Sequence, residues 1–325
     1  MVTEQVFGDV RPEDDYTHPL GPEKNFNESM YFNFFDNRQR RGGFLRIGNR
    51  ANEGYAEVTL SLFQPDGSVL FNYRRPEIAN NDAFDAGGMR FETIEPLVRH
   101  RTTYDGSAVF LARPEEMSDP GKAFRENPHK KVLIDLTHES VAPVFGSRGT
   151  DAPHENEAEG FGRAHYEQHM RVTGSLTIDG ETSEIDGYGL RDHSWGPRYW
   201  QNILSYRWLN CSFGPALNIM VSEINRTKTD RTEWGVVIRD GVVSRITGVS
   251  IETQFDADSH RLRAMRADVT LEDGEKVAIE GKVVGFIPLR NRREGHVTHI
   301  GEAMTEYSCL GHTGLGISEY LDQIQ

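Results

Sequence analysis

Short alternating runs closed by turn residues recur along the whole chain, and they restrict its fold more than any other feature. The clearest case is Tyr55–Phe63, where apolar and polar positions alternate. Pro65-Asp66-Gly67 follows it, and the pattern resumes at Val69–Tyr73. A period of two places successive side chains on opposite faces of a strand. Proline presets φ for a turn and glycine accepts positive φ, so the two runs predict a hairpin. Similar runs lie at 30–35, 107–112, 131–137, 165–178, 203–213, 217–224, 233–239, 242–252, 261–271 and 276–287. Asp36-Asn37, Asp179-Gly180, Asp240-Gly241 and Glu272-Asp273-Gly274 supply turns between them. No amphipathic helix longer than two or three turns is expected, except around 114–126. Many strands at short spacing predict an all-β chain built as a sandwich or barrel. The 32 glycines and 17 phenylalanines agree with that reading.

A chain of 325 residues is long enough for two domains. The polar, glycine-rich stretch 146–162 reads as a linker or as a loop over a site. It divides the chain into 1–160 and 161–325, each about the size of one barrel. Residues 8–27 lack periodicity and are expected to wrap the first barrel or plug an opening.

Charge narrows the partners. A formal net charge of −14 repels phosphate backbones and anionic membranes, so no nucleic-acid partner is expected. The basic runs Arg38–Arg41 and Arg290–Arg293 are short and read as solvated turns. Cys211 and Cys309 are too few for a disulfide-stapled domain and read as reduced thiols. Met1–Gln5 has neither the basic nor the apolar region of a signal peptide, and no run of about eighteen apolar residues is present. The expectation is a cytoplasmic protein with no membrane span.

The densest chemistry lies between Asp186 and Trp200, above all in Arg191-Asp192-His193-Ser194-Trp195-Gly196-Pro197-Arg198. A histidine beside a carboxylate can be tuned as an acid or base, so His193 and Asp192 are candidate catalytic groups. In an extended segment Trp195 shares the face of His193 and offers it an aromatic wall. Gly189 and Gly196-Pro197 predict sharp bends nearby. Arg191 and Arg198 read as the frame of the turn. The same cluster also suits a hydrogen-bonded lock at a barrel corner, and both readings stay open.

Three further groups complete the candidates. Glu223 shares a strand face with Leu217, Ile219 and Val221. Burial there would raise its pKa as a general acid requires, whereas a place at the strand end would leave it in solvent. Tyr206 and Trp208 share one strand face, and with Tyr188 and Tyr31 they are candidate substrate-binding aromatics. His165, Glu167 and His169 share a face, as do Glu302 and Glu306. The first set has metal-ligand residue types but also suits a hydrated barrel end, and no metal is expected. The chain lacks the glycine-rich phosphate loops, the His-Glu-x-x-His element and the serine elbow, so no cofactor is expected.

The segment Arg191–Arg198 resembles the signature of the AttH-like / carotenoid 1,2-hydratase superfamily, which includes hydroxyneurosporene synthase. Asn27–Phe32 and Gly311–Gly316 are similar to a less characterised bacterial branch of it. The resemblance implies two lipocalin-like (calycin) antiparallel barrels or half-barrels side by side, with a hydrophobic ligand cavity. It also implies hydration, dehydration, isomerisation or cyclisation without an organic cofactor. The hydratases' His-x-Trp element matches His193-Ser194-Trp195. Their Tyr-x-Asp acid element has no match near 215–225, so Asp192, Glu223 or His193 would serve as proton donor, and a carotenoid substrate is not implied.

Two functions follow. The leading one is a lyase or isomerase acting on a hydrophobic terpenoid-, steroid- or aromatic-type molecule, with an acid of raised pKa in a dry aromatic pocket. The other is a non-catalytic lipocalin-like protein that binds such a molecule.

Overall fold

The structure, a computed structural model, describes residues 6–149, 164–198, 203–257, 261–293 and 295–324. Each alternating run falls on a strand, and further strands lie outside the runs, among them Arg41–Arg50, Met89–Glu95, Glu181–Pro197, His296–Cys309 and His312–Ile324. In chain order they are β1 (Val6–Gly8), β2 (Phe26–Asp36), β3 (Arg41–Arg50), β4 (Tyr55–Phe63), β5 (Val69–Arg74), β6 (Asp85–Ala86), β7 (Met89–Glu95), β8 (Arg99–Leu111), β9 (His129–Ser140), β10 (Val144–Ser147), β11 (Ala164–Ile178) and β12 (Glu181–Pro197). The remainder are β13 (Ser205–Ser212), β14 (Leu217–Asn225), β15 (Arg231–Arg239), β16 (Val242–Phe255), β17 (Leu262–Leu271), β18 (Lys276–Arg293), β19 (His296–Cys309) and β20 (His312–Ile324). The helical signal at 114–126 resolves into a 3-10 turn, Pro114–Ser118, and one short helix, α1 (Pro120–Glu126), capped by the Asp119 side chain.

Two barrels stand side by side. In the first, pairing runs β2-β3-β4-β5-β8-β9-β11-β12 and returns from β12 to β2. In the second, β13 to β20 pair in chain order and β20 closes onto β13. The all-β, lipocalin-like expectation therefore holds. The division at 160/161 does not match the pairing. β11 and β12 lie in the first barrel, with β12 bonded to β2, so the Arg191–Arg198 motif belongs there and the crossing to the second barrel follows Pro197. A composition-based boundary fails here because strands 164–197 are needed to close the first ring. Most of the candidate linker 146–162 lies outside the described residues.

Alternation sorts the side chains into three apolar layers. Phe32, Leu45, Val58 and Leu60 fill the first barrel. Ile219, Val221, Ala267 and Ile279 fill the second. Tyr31, Phe44, Phe71, Met304 and Ile317 form a third layer between the barrels. β12 stays extended through Gly189, where the sequence predicted a bend. A Cβ there would stand 2.0 Å from the Asn33 carbonyl oxygen, so glycine allows close approach to β2. Of the two glycines where bends were expected, Gly196 alone, at φ 118°, takes a conformation that favours glycine.

The segment before β2 is a plug. Asp14 and Asp15, in the 3-10 turn Pro12–Asp15, are buried against the open end of the first barrel. No described helix is long and apolar enough to cross a membrane.

Candidate functional site

Adjacent residues of β12 look into different compartments. β11 and β12 pair with Tyr166 opposite His193, Glu167 opposite Asp192 and Gln168 opposite Arg191. Alternation sends Tyr166, Gln168, Arg191, His193 and Trp195 into the first barrel. His165, Glu167, Asp192 and Ser194 point the other way, toward the second barrel.

The inward face is a buried hydrogen-bond network in which Arg191 Nη2 and His100 Nδ1 have no partner among the described residues. Arg191 Nη1 donates to Asp15 Oδ1 at 2.6 Å, and its Nε donates to Gln168 Oε1 at 2.9 Å. The Tyr166 hydroxyl donates to Asp15 at 2.6 Å and stands 3.0 Å from His193 Nδ1. His193 Nε2 lies 3.0 Å from Glu28 Oε1, and His18 Nδ1 lies 2.7 Å from the same oxygen. Trp195 stacks on His18, with ring centroids 3.8 Å apart. Burial alone would raise Asp15, but Arg191 and His100 outweigh it and hold the carboxyl well below its ordinary range. Burial pushes His100 down to about 4 and His138 to about 3, so both are neutral rings at pH 7. His18, Glu28 and His193 have the residue types of a metal site and cluster within 4.8 Å, although each is held by protein partners.

The outward face opens on a cavity of about 730 Å³ between the barrels. Tyr31, Phe44 and Phe71 line it from the first barrel, and Tyr206, Trp208 and Trp234 from the second. On one wall His165, Glu167 and Asp192 converge. His165 Nε2 is bonded to Asp192 Oδ2 and lies 3.3 Å from Glu167 Oε1. Trp208 Nε1 donates to the same Glu167 oxygen at 3.1 Å, while buried Glu167 Oε2 has no hydrogen-bond partner among the described residues. The His165 side chain is 33% accessible, Asp192 18% and Glu167 0%. Burial drives Glu167 up to about 8 against the opposing pull of His165. Asp192 goes the other way. Burial would raise it, but the bonded His165 holds it below the ordinary carboxylate range, and His165 is raised in return. Burial also lifts Glu302 and Glu319, both on this cavity, to about 8.

The cavity thus brings together Asp192, Tyr31, Tyr206, Trp208 and Arg198 of the expected residues. Arg198 donates to Ser194 Oγ at 3.0 Å. Four others are elsewhere. His193 and Trp195 lie inside the first barrel, because strand alternation separates them from Asp192. Glu223 is bonded to Arg231 at 2.8 Å and is not on the cavity. Tyr188 lies beside Gly214. Arg191 is fully buried, bonded to Asp15 and Gln168. The set His165, Glu167 and His169 loses its third member. His169 is buried beside Phe145, and Asp192 takes its place within 4.8 Å of the other two. Residue-type reasoning passed over Glu319 and Arg46. Both follow the alternation of their strands, but only the sheet register brings Glu319 beside Trp208 and Glu302.

The chain matches, over residues 11–324, the family described as Domain of unknown function DUF7064, and it belongs to that family. No curated protein sequence matches it. Its fold is that of a Nitrosomonas europaea protein described as an AttH, at TM-score 0.62 and 14% identity over 98% of both chains. It is also similar to CghA solved with Sch210972, at TM-score 0.57 and 12% identity over 98% of this chain and 97% of that one. Kievitone hydratase from Nectria haematococca matches at TM-score 0.57 and 10% identity over 98% and 96%. The AttH-like fold expected from the central motif is therefore present.

Proposed function

We propose that this DUF7064 family member is a cofactor-independent acid/base lyase or isomerase acting on a hydrophobic small molecule held between its two barrels. The observation that carries the reading is the pairing of a buried carboxyl kept protonated, Glu167, with a carboxylate kept ionised, Asp192, on one cavity wall. Two titratable groups whose environments push them apart define an acid and a base. Glu167 is the proton donor in this reading. Asp192 is the acceptor, and His165 positions it through their shared hydrogen bond.

In dehydration, Glu167 protonates a leaving hydroxyl, the C–O bond breaks, and Asp192 takes a proton from the neighbouring carbon. Hydration is the reverse. Isomerisation uses the same two transfers without loss of water. The aromatic walls exclude solvent, and an indole face tolerates developing positive charge. A cavity of this volume suits a molecule of terpenoid, steroid or polycyclic aromatic size. The name of one fold neighbour, a kievitone hydratase, agrees with the reading.

The test is incubation with a panel of such alcohols and alkenes, read by product mass. Turnover that Glu167→Gln and Asp192→Asn both abolish supports the proposal. Tight binding with unchanged ligand makes the protein a carrier instead. Full turnover by both variants overturns the assignment of acid and base.

A further inference from the structure

The cavity wall carries more cationic groups than proton transfer requires. The chain has a net charge of −14, yet Arg46, Arg75, Arg198, Arg226, Arg290 and Arg292 all line this one space. One of them, Arg46, lies on β3. Arg46 sits between Tyr31 and Thr59 in the sheet register, and both of those line the cavity. Arg46, Arg50 and Arg75 approach a single carboxylate, Glu57, at 3.4, 3.7 and 3.5 Å. Glu53 is a second partner of Arg50 at 2.9 Å.

Arg198 stands close enough to feel two of these charges. Burial first, then Arg46 and Arg50, lower its pKa to about 10. The acids that face Arg198 include, among the described residues, Asp192, already joined to His165, and Glu319, which burial keeps protonated at pH 7. Arg46 Nη2 is buried and has no hydrogen-bond partner among the described residues. Crowded guanidinium groups with a partly neutral set of acids are costly in a desolvated space unless a ligand supplies negative charge. Their planar forks match the two oxygens of a carboxylate or phosphate.

We propose that the cavity's ligand is an amphipathic organic anion. Its oxyanion head sits between Arg46 and Arg198, and its apolar body lies along Tyr31, Phe44 and Trp208. The proposal rests on the cavity being the substrate site, but its test does not depend on catalysis.

The probes are 1-anilinonaphthalene-8-sulfonate and its uncharged counterpart N-phenyl-1-naphthylamine, titrated by fluorescence into the full chain. The anionic probe is expected to bind about tenfold tighter, as one charge-assisted contact predicts. Arg46→Gln or Arg198→Gln should erase most of that preference while leaving the neutral probe's affinity unchanged. Wild-type protein gives the same answer without a variant, because rising salt should narrow the gap between the probes. Displacement of the bound dye by decanoate, decyl phosphate and decanol then identifies the head group. Decanoate ahead of decyl phosphate assigns a carboxylate, the reverse assigns a phosphate, and both should outcompete decanol. Equal affinity for the two dyes, or a preference that neither variant nor salt reduces, overturns the inference. If the preference fails while Glu167→Gln still abolishes turnover, the anion site is wrong and the catalytic reading stands. If the preference holds in a protein that turns over nothing, the cavity is an anion-binding site.

Discussion

The two faces of β12 carry similar residue types and behave oppositely. On the inward face, Arg191 and His193 are fully buried; Asp15 of the plug bonds Arg191, Glu28 of β2 bonds His193, and His18 of the plug shares that Glu28 oxygen. On the outward face, Asp192 meets His165 and Glu167 at the edge of a cavity, and one Glu167 oxygen has no partner among the described residues. Each face holds a buried polar atom with no partner among the described residues, Arg191 Nη2 inside and Glu167 Oε2 outside. Neither chemical type nor completeness of hydrogen bonding therefore separates the two cases. Access does: the inward groups are sealed among protein atoms and fix structure, whereas the outward ones line a cavity open to a ligand.

The contrast can be broken from either side. Arg191→Met removes one partner of a buried ion pair and should cost about 3–5 kcal/mol of unfolding free energy, read by denaturant titration. A loss below about 1 kcal/mol would show that the inward face is not a structural lock. Glu167→Gln should lower turnover by about 10²–10⁴-fold with no loss of thermal stability, since it replaces a buried neutral acid with a neutral amide. The wild-type rate should fall as pH rises through about 8, where Glu167 loses its proton, and that alkaline limb should be absent from any residual rate of Glu167→Gln. A rate that instead rises through that range would reverse the acid and base roles.

Glu302→Gln probes the cavity wall by linkage. Burial lifts Glu302 from 4.5 to about 8, so the folded protein keeps a proton that the unfolded chain releases. The stability tied to that proton is fully present below 4.5 and is lost as pH rises toward 8. The variant carries no such proton. Its stability relative to wild type should rise through that window, by on the order of 3 kcal/mol at pH 7. A constant difference between the two proteins from pH 5 to pH 8 would place Glu302 in a wetter setting than its burial implies. Tyr188→Phe, off the cavity, should change stability by less than about 0.5 kcal/mol and leave turnover intact.

Much of this arrangement was legible in the chain itself. Alternation located most strands, and the Arg191–Arg198 segment pointed to the fold and to the strand that divides the two compartments. Strand β3 was missed because Gly42, Gly43 and Gly48 interrupt its pattern, and it carries Arg46. The compartment faced by His193 was hidden for a different reason. Parity pairs His193 with Trp195 correctly, but it does not say which face looks at the partner barrel. That depends on β11 and β12 closing the first ring, a contact that spans more than a hundred residues between β12 and β2. Glu167 and His165 were visible as a shared face. Their link to Asp192 required the register of the hairpin.

The cavity's position between two barrels divides responsibility for what it does. The proposed acid and base stand on β11 and β12, whereas Tyr206, Trp208, Trp234 and Ile300 come from the second barrel. Apart from Trp208, which donates to Glu167, substitutions on β13, β15 or β19 therefore remodel the shape that fits while leaving the proton-handling pair in place. A seam of this kind lets an inherited chemistry be redirected to new molecules by drift in one half alone. Within the family, substrate range should vary with the second barrel while the first holds the reaction constant.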